Sequence, residues 1–433
     1  MHILFIRPGI CGTRTFDALP PLSIGVLAAR TPPDIRCTFV DDALGEVYGG
    51  PKPDLVAITT QTFSALRAYD LAEDFRSRGV PVVLGGYHPT LLSDEASRFA
   101  DAVVIGDAEG VWEMVIDDAR RGVLRSIYRA DQDRPLHDVA IDRSIFLGKN
   151  YPKIELASFT RGCRFSCDFC AIKAFYPNVR SRSLDLFSEE LQELDLRRIL
   201  FIVDDNIYTT PKLFRELLAV LRNAGAKWAC QISIDVARDE ALVEEMARSG
   251  CMLVIIGFES LDPLNLKQIG KRWNVVSGAY PDVVARFHRH GIAVYGTFVF
   301  GYDADTLDTI ESALEFAVSS KLEIANFNPL TPMPGSRLYE RLLAEKRLLR
   351  PTWWLDRDYR YGDPIFVPRN MDAGGFVEKC YWAKREFYSW RSMIQRLLLS
   401  DSRFDWYRIK TAFAANVVSH REIMRKQHKT LGG

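Results

Sequence analysis

The chain has 433 residues, which is too long for one ordinary hydrophobic core and predicts two or three domains. Hydrophobic residues make up 47% and charged residues 26%, as in soluble globular proteins, and the 56 basic residues balance the 56 acidic ones. This balance gives no indication of a nucleic-acid partner. We find no signal-peptide pattern and no apolar run that could span a membrane, so we expect a cytoplasmic protein. In that reducing compartment, clustered cysteines indicate metal binding or catalysis.

Up to about residue 145, short apolar runs alternate with helical stretches. The predicted strands are residues 3–6, 55–58, 82–84 and 102–105. This alternation predicts a doubly wound, Rossmann-like α/β domain, in which ligands bind at the carboxyl ends of parallel strands. Polar and glycine-rich turns follow three of these strands, at residues 59–62, 85–88 and 106–110.

A second alternating segment follows a polar linker at residues 129–138. Six apolar runs predict strands at residues 156–160, 199–203, 228–234, 253–257, 293–300 and 324–327. Six strand–helix units predict a partial (β/α)6 barrel of the TIM type over residues 146–340, since a complete barrel has eight. The first domain is then 1–145, and residues 341–433 are predicted to form a mostly helical cap.

The most specific motif is GCRFSCDFC, which places Cys163, Cys167 and Cys170 just after the first predicted barrel strand. Three thiolates can hold three irons of a cubane and leave the fourth iron open to a small molecule. A structural zinc site is the alternative, but such sites need four ligands, and no fourth Cys or His lies nearby. The other cysteines are interpreted as small buried hydrophobic residues; they are Cys11, Cys37, Cys230, Cys251 and Cys380.

With Phe169 before the last cysteine, this motif resembles the signature of the radical S-adenosylmethionine (SAM) enzymes. Later segments resemble the same family in order: residues 204–206, 257–260, GTFVFGYDADT and TPMPGSRLYE. The resemblance implies an oxygen-sensitive [4Fe–4S] cluster on the three cysteines and cleavage of SAM to a 5′-deoxyadenosyl radical. The residues that it implies for SAM binding are Phe169, Asp204, Asp205, Asn206, Ser233, Gly257, Glu259, Ser260 and Phe298.

Four upstream segments, PLSIGVLAA, PDLVAITTQT, VVLGGYHPT and VIGDAEG, resemble the cobalamin-binding domain that precedes many radical SAM barrels. Small and hydroxyl-bearing residues at these turns suit the approach of a flat corrin ring and its amide-bearing tail. The chain lacks an Asp-x-His-x-x-Gly motif, so no standard histidine ligand to cobalt is implied. The residues that the resemblance implies for cobalamin binding are Thr59, Thr60, Gln61, Thr62, Gly85, Gly86, His88, Gly106 and Glu109. The alternative is a degenerate domain that binds no corrin.

The resemblance to cobalamin-dependent radical SAM enzymes implies a methyltransferase. It would modify an unactivated carbon of a small-molecule or lipid-like metabolite through a 5′-deoxyadenosyl radical and methylcobalamin. The cofactors carry this chemistry, so we name no general base. One rival is a cobalamin-binding enzyme for cyclisation, ring contraction or rearrangement without methyl transfer. The more distant rival is a non-enzymatic metal or redox-sensing protein.

The C-terminal segment bears on the partners. Its aromatic residues, such as Trp353, Trp354 and Trp382, either line a bulky apolar pocket or pack a helical cap onto the barrel, and we favour packing. From Tyr381 onward the chain has eleven basic and four acidic residues, which suits an anionic substrate, a peripheral membrane contact or a solvated helix face. We expect a hydrophobic or anionic small-molecule substrate, an external electron donor such as flavodoxin or ferredoxin, and no nucleic acid.

Overall fold

Two parallel six-stranded sheets organise the chain in this computed structural model, which describes residues 1–10, 18–136, 139–276, 278–360, 362–397 and 406–426. The strands are β1 His2–Arg7, β2 Arg36–Asp41, β3 Leu55–Thr59, β4 Val82–Gly85, β5 Ala102–Ile105, β6 Ile127–Arg129, β7 Glu155–Ala157, β8 Thr160–Arg161, β9 Arg180–Ser181, β10 Ile199–Ile202, β11 Lys227–Ile232, β12 Cys251–Glu259, β13 Ala293–Phe300 and β14 Ile324–Pro329. The α-helices are α1 Leu22–Ala29, α2 Ala65–Ser77, α3 Tyr87–Leu91, α4 Ser93–Ala96, α5 Trp112–Arg120, α6 Ile172–Phe175, α7 Leu184–Glu193, α8 Pro211–Ala224, α9 Glu240–Arg248, α10 Pro263–Ile269, α11 Arg272–Val276, α12 Tyr280–Arg289, α13 Leu307–Ser319, α14 Arg337–Ala344, α15 Ala373–Phe387, α16 Trp390–Leu397 and α17 Trp406–Lys426.

The first sheet has the strand order β2-β1-β3-β4-β5-β6, all parallel. Successive side chains of a strand point to opposite faces, so Phe5 packs with Trp112 of α5 on one face and Leu4 packs with Tyr69 of α2 on the other. Both faces are therefore covered by apolar side chains, which explains the continuous hydrophobic runs of these strands. The predicted doubly wound domain is confirmed.

The second sheet has the order β14-β13-β12-β11-β10-β7, again all parallel. Within the described residues, the edge strands β7 and β14 do not pair with each other, so the sheet is an open, partial barrel as predicted. Its helices begin and end where the sequence indicates. For example, α8 begins with Pro211 after the capping Thr210 and ends at Gly225, which takes the left-handed conformation.

The C-terminal segment is helical, as predicted, but its aromatic residues divide between the two sheets. Phe387 of α15 packs against Phe327 of β14, with ring centroids 5.7 Å apart, and this matches the predicted packing on the barrel. Trp353 and Trp354 instead pack onto the first domain, where Trp353 contacts Phe63 at 5.1 Å. The expectation of a cap on the barrel alone was therefore wrong for these two residues.

The four other described cysteines outside the motif agree largely with the prediction. Cys230, Cys251 and Cys380 are buried, and Cys37 is half-buried. Cys11 lies outside the described residues. Across the described part of the chain, none of the helices combines the length and apolar character that a membrane crossing requires.

The turn after β4 depends on a glycine. Gly86 has φ +103°, and a Cβ at this position would lie 2.8 Å from the carbonyl oxygen of Thr60. At the adjacent Gly85 the nearest atom to an added Cβ is 3.8 Å away, which is an ordinary contact. The two glycines therefore differ in what they tolerate, although they are neighbours.

We predict that Gly86→Ala lowers the free energy of unfolding by about 2–3 kcal/mol, because it adds backbone strain and a steric clash. The matched control Gly85→Ala should change stability much less. Urea unfolding of the two variants and the wild type measures the difference, and equal losses would contradict this account.

Candidate active site between the two sheets

A cavity of about 310 Å³ lies where the carboxyl ends of the first sheet face the barrel opening. From the first domain, the turns after β3, β4 and β5 line it. From the barrel side, Ser158, Thr160, Arg161, Tyr176 and Asp205 contribute to its wall. Parallel sheets bind ligands at this edge, so the position agrees with the predicted site.

Most residues predicted to bind cobalamin lie around this first cavity. Those lining it are Thr59, Thr60, Gln61, Gly85, Gly86, Gly106 and Glu109. Thr62 instead lines a second cavity, described below. His88 lines neither cavity: it is fully buried, and its ring nitrogens face Thr62, Tyr69 and Glu95 at 3.0–3.3 Å.

A buried ion cluster joins the two sheets at the rim of the first cavity. Arg161 pairs with both Asp107 and Glu109, and Arg180 pairs with Asp107 at 2.5 Å. The hydroxyl of Tyr176 donates to the same Asp107 at 3.2 Å. The carboxylates raise the pKa of Arg161 even though burial alone would lower it. Glu109, which is predicted to bind cobalamin, thus also forms an ion pair with Arg161 of the barrel.

The three motif cysteines lie on the loop that follows β8, and each is half-buried. Asn206 directs its side-chain amide at the Cys163 sulfur from 3.8 Å. Burial raises the pKa of Cys167 to about 12 and that of Cys170 to about 11, and electrostatic interactions with Cys163 raise both further. The structure therefore brings the three thiols into one electrostatic neighbourhood.

Asp168, which the sequence analysis did not single out, fastens this loop. Its carboxylate accepts a hydrogen bond from the hydroxyl of Tyr302 at 2.5 Å and lies 3.4 Å from Arg341. Its backbone N–H donates to Ile269, and its carbonyl accepts from Leu338. The signal available in the sequence was an acidic residue between two of the cysteines. The structure shows that it is buried and paired, since acidic residues are seldom buried without a partner.

The acidic stretch after β10 accepts hydrogen bonds from the backbone around β8 and at the start of the thiol loop. Asp204 is buried and accepts hydrogen bonds from the N–H groups of Phe159 and Thr160 at 2.8 and 2.7 Å. Asp205 accepts one from the N–H of Gly162 at 3.0 Å. Asn206 donates to Ser233 at 3.3 Å as well as facing Cys163. These four predicted SAM-binding residues thus lie together beside the thiols, and their contact with SAM remains a prediction.

An irregular strand end carries Gly257 and Glu259. The pairing of β12 with β13 shifts between these residues, and Glu259 has φ +64°, which is unusual for a residue other than glycine. The Glu259 side chain folds back, so that a Cβ on Gly257 would lie 2.1 Å from its Oε1 atom. A side chain at position 257 would therefore displace the paired ends of Glu259 and Lys271.

Lys271 is the main residue that the sequence analysis missed. It is half-buried, and its ammonium donates to Glu259 Oε1 at 2.6 Å and to the Gly257 carbonyl at 3.0 Å. Burial alone would lower the pKa of Lys271. Electrostatic interactions with Glu259 and Cys167 raise it by more than burial lowers it, so the net shift is upward. Lys271 therefore puts a positive charge close to the thiols and to Glu259, whose carboxylate is predicted to bind SAM.

The remaining predicted SAM residues fall in different environments. Phe298 is fully buried and stacks between Phe258 and Phe327, so its side chain belongs to the barrel core. Ser260 accepts a hydrogen bond from the backbone of Asp262 at 3.1 Å. Phe169 is half-buried and lines the second cavity.

This second cavity, of about 430 Å³, lies between the first domain, the thiol loop and the C-terminal segment. Cys170 and Phe169 line it from the thiol loop. Gln61 and Tyr87 line both cavities and so stand at the boundary between them. The first domain, the thiol loop and the C-terminal segment therefore all contribute to the wall of the second cavity.

The donor set fits the implied cofactors. Three thiols on one loop suit three irons of a cubane, in which each thiolate binds a different metal. Among the described residues, no three acidic, histidine or cysteine side chains converge on a point that would suit one metal ion, and a cubane does not require this. In the first cavity, the buried Thr60 hydroxyl has no hydrogen-bond partner, and such an orphaned group suits a polar ligand tail.

Comparisons with known proteins agree with this geometry. The model of the radical SAM superfamily matches residues 157–317. The chain is 31% identical to bacteriochlorophyllide d C-12(1)-methyltransferase of Chlorobaculum tepidum, over 89% of this chain and 86% of that protein. It is 24% identical to bacteriochlorophyllide d C-8(2)-methyltransferase of the same organism, over 94% of each chain. The fold resembles that of the radical SAM methyltransferase TsrM from Kitasatospora setae, solved with cobalamin and a [4Fe–4S] cluster, with a TM-score of 0.66, 13% identity and coverage of 97% and 99%.

We predict that replacing Cys163, Cys167 or Cys170 with Ala abolishes the binding of iron and sulfide during anaerobic reconstitution, because two thiolates cannot hold the cubane. The half-buried Cys37, far from the loop in sequence, provides the matched control as Cys37→Ala. Iron and sulfide analysis with absorption spectroscopy measures the outcome. Full cluster content in any of the three loop variants would contradict the assignment.

We also predict that assembly of the cluster is favoured by higher pH. Because the pKa values of Cys167 and Cys170 are raised, both thiols are protonated at pH 7, and each must lose its proton to bind iron. The apparent affinity for iron should therefore rise between pH 7 and pH 9, with about one proton released per thiol bound. Anaerobic titration with proton counting tests this, and pH-independent binding without proton release would refute it.

Proposed function

Because this chain belongs to the radical SAM superfamily, in the branch whose members also bind cobalamin, we propose that it methylates an unactivated carbon of a small-molecule or lipid-like metabolite. The observation that best supports this is the shared boundary of the two cavities. Cys170 lines the second cavity, and Gln61 and Tyr87 line both, so a substrate there lies next to the thiol loop and the proposed corrin site.

The proposed cofactor residues follow from these positions. Cys163, Cys167 and Cys170 would hold the [4Fe–4S] cluster, and Asn206, Ser233, Glu259 and Lys271 lie where SAM would be held. The turns at Thr59–Gln61 and Gly85–Gly86 would hold cobalamin. When bound, the cluster with SAM supplies a radical that can open an unactivated C–H bond, and cobalamin supplies the methyl group.

The protein's own residues would position these groups and keep water out. Asp168 and Asp204 fix the thiol loop through buried hydrogen bonds to side chains and backbone. Lys271 neutralises Glu259, which allows both charges to remain buried. The aromatic side chains of the second cavity, among them Phe169 and Tyr381, would shield the reacting carbon from solvent.

The partners and the location are further parts of this proposal. An external electron donor such as flavodoxin or ferredoxin would reduce the cluster. The seven described cysteines form no disulfide, which supports a cytoplasmic location. Exposed apolar side chains at Trp390, Ile394 and Val418 in the basic C-terminal segment support a peripheral membrane contact.

Cyclisation or rearrangement without methyl transfer is the rival within the same family. The non-enzymatic hypothesis is set aside, because membership of the superfamily makes the chain an enzyme. The two enzymatic outcomes differ in one measurable way, since only methyl transfer leaves a carbon from SAM in the product.

We predict that the reconstituted protein, given cobalamin, a reductant, SAM labelled in its methyl group and bacteriochlorophyllide d, releases 5′-deoxyadenosine and forms a labelled product. Mass spectrometry measures both, and Cys163→Ala provides the inactive control. Formation of 5′-deoxyadenosine with a changed but unlabelled product would favour the rival. Absence of 5′-deoxyadenosine from a cluster-loaded protein would contradict the proposed function.

A further inference from the structure

The thiol loop has an outer face that lies away from both cavities. Phe169 and Cys170 line the second cavity, whereas Ser166 is exposed and belongs to the wall of neither cavity. Arg337, the first residue of α14, donates a hydrogen bond from its guanidinium to the Ser166 carbonyl. Gly270, which follows α10, is also exposed, and a Cβ there would lie 3.7 Å from the same carbonyl oxygen. The thiol loop therefore reaches the protein surface between α10 and α14.

This outer face adjoins the proposed cluster site. Ser166 directly precedes Cys167, and Gly270 directly precedes Lys271. The ammonium of Lys271 interacts electrostatically with the thiols of Cys163 and Cys167. By either route, one residue separates the solvent from a group beside the thiols. An electron that enters here would have a short path to the cluster and would cross neither cavity.

Basic residues dominate the charge of the outer face. Lys267 lies three residues before Gly270 and Arg272 two residues after it, and both are exposed, as is Arg337. Among the described residues of α10, α11 and α14, these three are the exposed bases, and Glu340 is the exposed acid. The face therefore carries a surplus of positive charge in contact with solvent.

The carboxylates beneath this surface are bound by other groups and do not cancel its charge. Glu259 forms its ion pair with Lys271 at 2.6 Å. Asp168 lies 3.4 Å from Arg341 and accepts a hydrogen bond from the hydroxyl of Tyr302. The exposed bases are therefore available to a partner of opposite charge.

Apolar side chains are interspersed among these bases. Leu264 is 67% exposed and lies three residues before Lys267 on α10. Val275 is 52% exposed and lies three residues after Arg272 on α11. Residues three apart are neighbours on a helix surface, so each base has an exposed apolar neighbour. Such a mixed surface favours a folded protein partner over nucleic acid, whose phosphates are bound chiefly by basic and polar groups.

We propose that the outer face, with Lys267, Arg272 and Arg337, is the docking surface for the electron donor, and that this donor is a small redox protein with an acidic surface. The inference rests on the proposed function, because it assigns the partner of the same site. The reduced donor gives up one electron and the cluster takes it up, while no bond forms or breaks. Electron-transfer complexes are small and weak, and opposite charges speed their encounter. A donor bound here leaves both cavities free for substrate and cobalamin.

The test uses the holoprotein with cluster, cobalamin and SAM, and two reductants. Reduced flavodoxin is the acidic protein probe, and reduced methyl viologen is a small cation that needs no docking surface. Calorimetry measures the binding of oxidised flavodoxin, which does not depend on SAM cleavage. The rate of 5′-deoxyadenosine formation at limiting reductant measures the delivery of electrons.

The test variant carries Lys267→Glu and Arg272→Glu together, and neither residue belongs to the proposed cofactor sites. The matched control carries Arg222→Glu and Arg248→Glu, which change the net charge equally. Arg222 and Arg248 lie in the last turns of α8 and α9, next to the beginnings of β11 and β12. The control charges are therefore at the edge of the barrel sheet opposite to the thiol loop.

We expect the test variant to lose about ten- to hundredfold both in affinity for flavodoxin and in the rate with limiting flavodoxin, because the steering charges are reversed. Its rate with methyl viologen should not fall, and the control variant should match the wild type with both reductants. The affinity of the wild type for flavodoxin should also weaken as salt screens the surface charges.

Unchanged flavodoxin affinity in the test variant, an equal loss in the control variant, or a wild-type affinity that is independent of salt would overturn the inference. The salt dependence needs no variant, so it tests the inference even if the test variant fails to fold. Wild-type binding to vesicles containing phosphatidylserine that is lost in a test variant with normal flavodoxin affinity would reassign the face to a lipid surface. Flavodoxin binding as expected, without 5′-deoxyadenosine from either reductant, would contradict the proposed function and leave the docking surface intact.

Discussion

The candidate site depends on the ion cluster that holds two parallel sheets edge to edge. Polar turns follow the strands of each sheet, and the turns of the two sheets can form one site only when they face each other. Arg161 and Arg180 from the barrel reach Asp107 and Glu109 of the first domain, and this bonding fixes the separation of the two edges. Because the four charges are largely buried, each depends on a partner of opposite charge, and loss of Asp107 or Arg161 would leave a buried charge without its partner. The first cavity is the space that this arrangement leaves.

The thiol loop shows a second constraint, in which buried acids hold the backbone. Asp204 accepts hydrogen bonds from the N–H groups of Phe159 and Thr160, where the chain leads into the loop, and Asp168 joins the middle of the loop to Tyr302. Acidic residues are costly to bury, and here each burial is compensated by several hydrogen bonds. These hydrogen bonds fix the backbone that carries the cysteines, as a cofactor with rigid geometry requires. Glu259 at the end of β12 is likewise held in place, through its ion pair with Lys271.

Much of the fold could be predicted from the sequence, because buried parallel strands are continuous apolar runs. The strand over residues 293–300 was predicted with its observed bounds. β2 and β6 were not predicted: each lies at an edge of the first sheet and is partly exposed, so its sequence is mixed rather than apolar. The cysteine motif was clear because its spacing is local. Lys271 was missed because its role depends on a fold that brings it to Glu259, twelve residues earlier, and no periodic pattern marks such a contact. His88 was expected at the corrin, yet local bonding to Glu95 and Tyr69 keeps it in the domain interior.

The indole pair at Trp353 and Trp354 has a consequence for how this architecture can be taken apart. These side chains come from beyond the barrel, yet they complete the hydrophobic core on one face of the first sheet, and Trp354 donates to Glu95 at 3.0 Å. The N-terminal sheet is therefore finished by residues more than two hundred positions later in the chain. A fragment ending at the linker would expose the surface that these indoles cover. A chimaera with a different barrel must therefore keep the C-terminal segment that carries Trp353 and Trp354. Because they share this hydrophobic core, the first domain and the C-terminal segment cannot be exchanged as independent units.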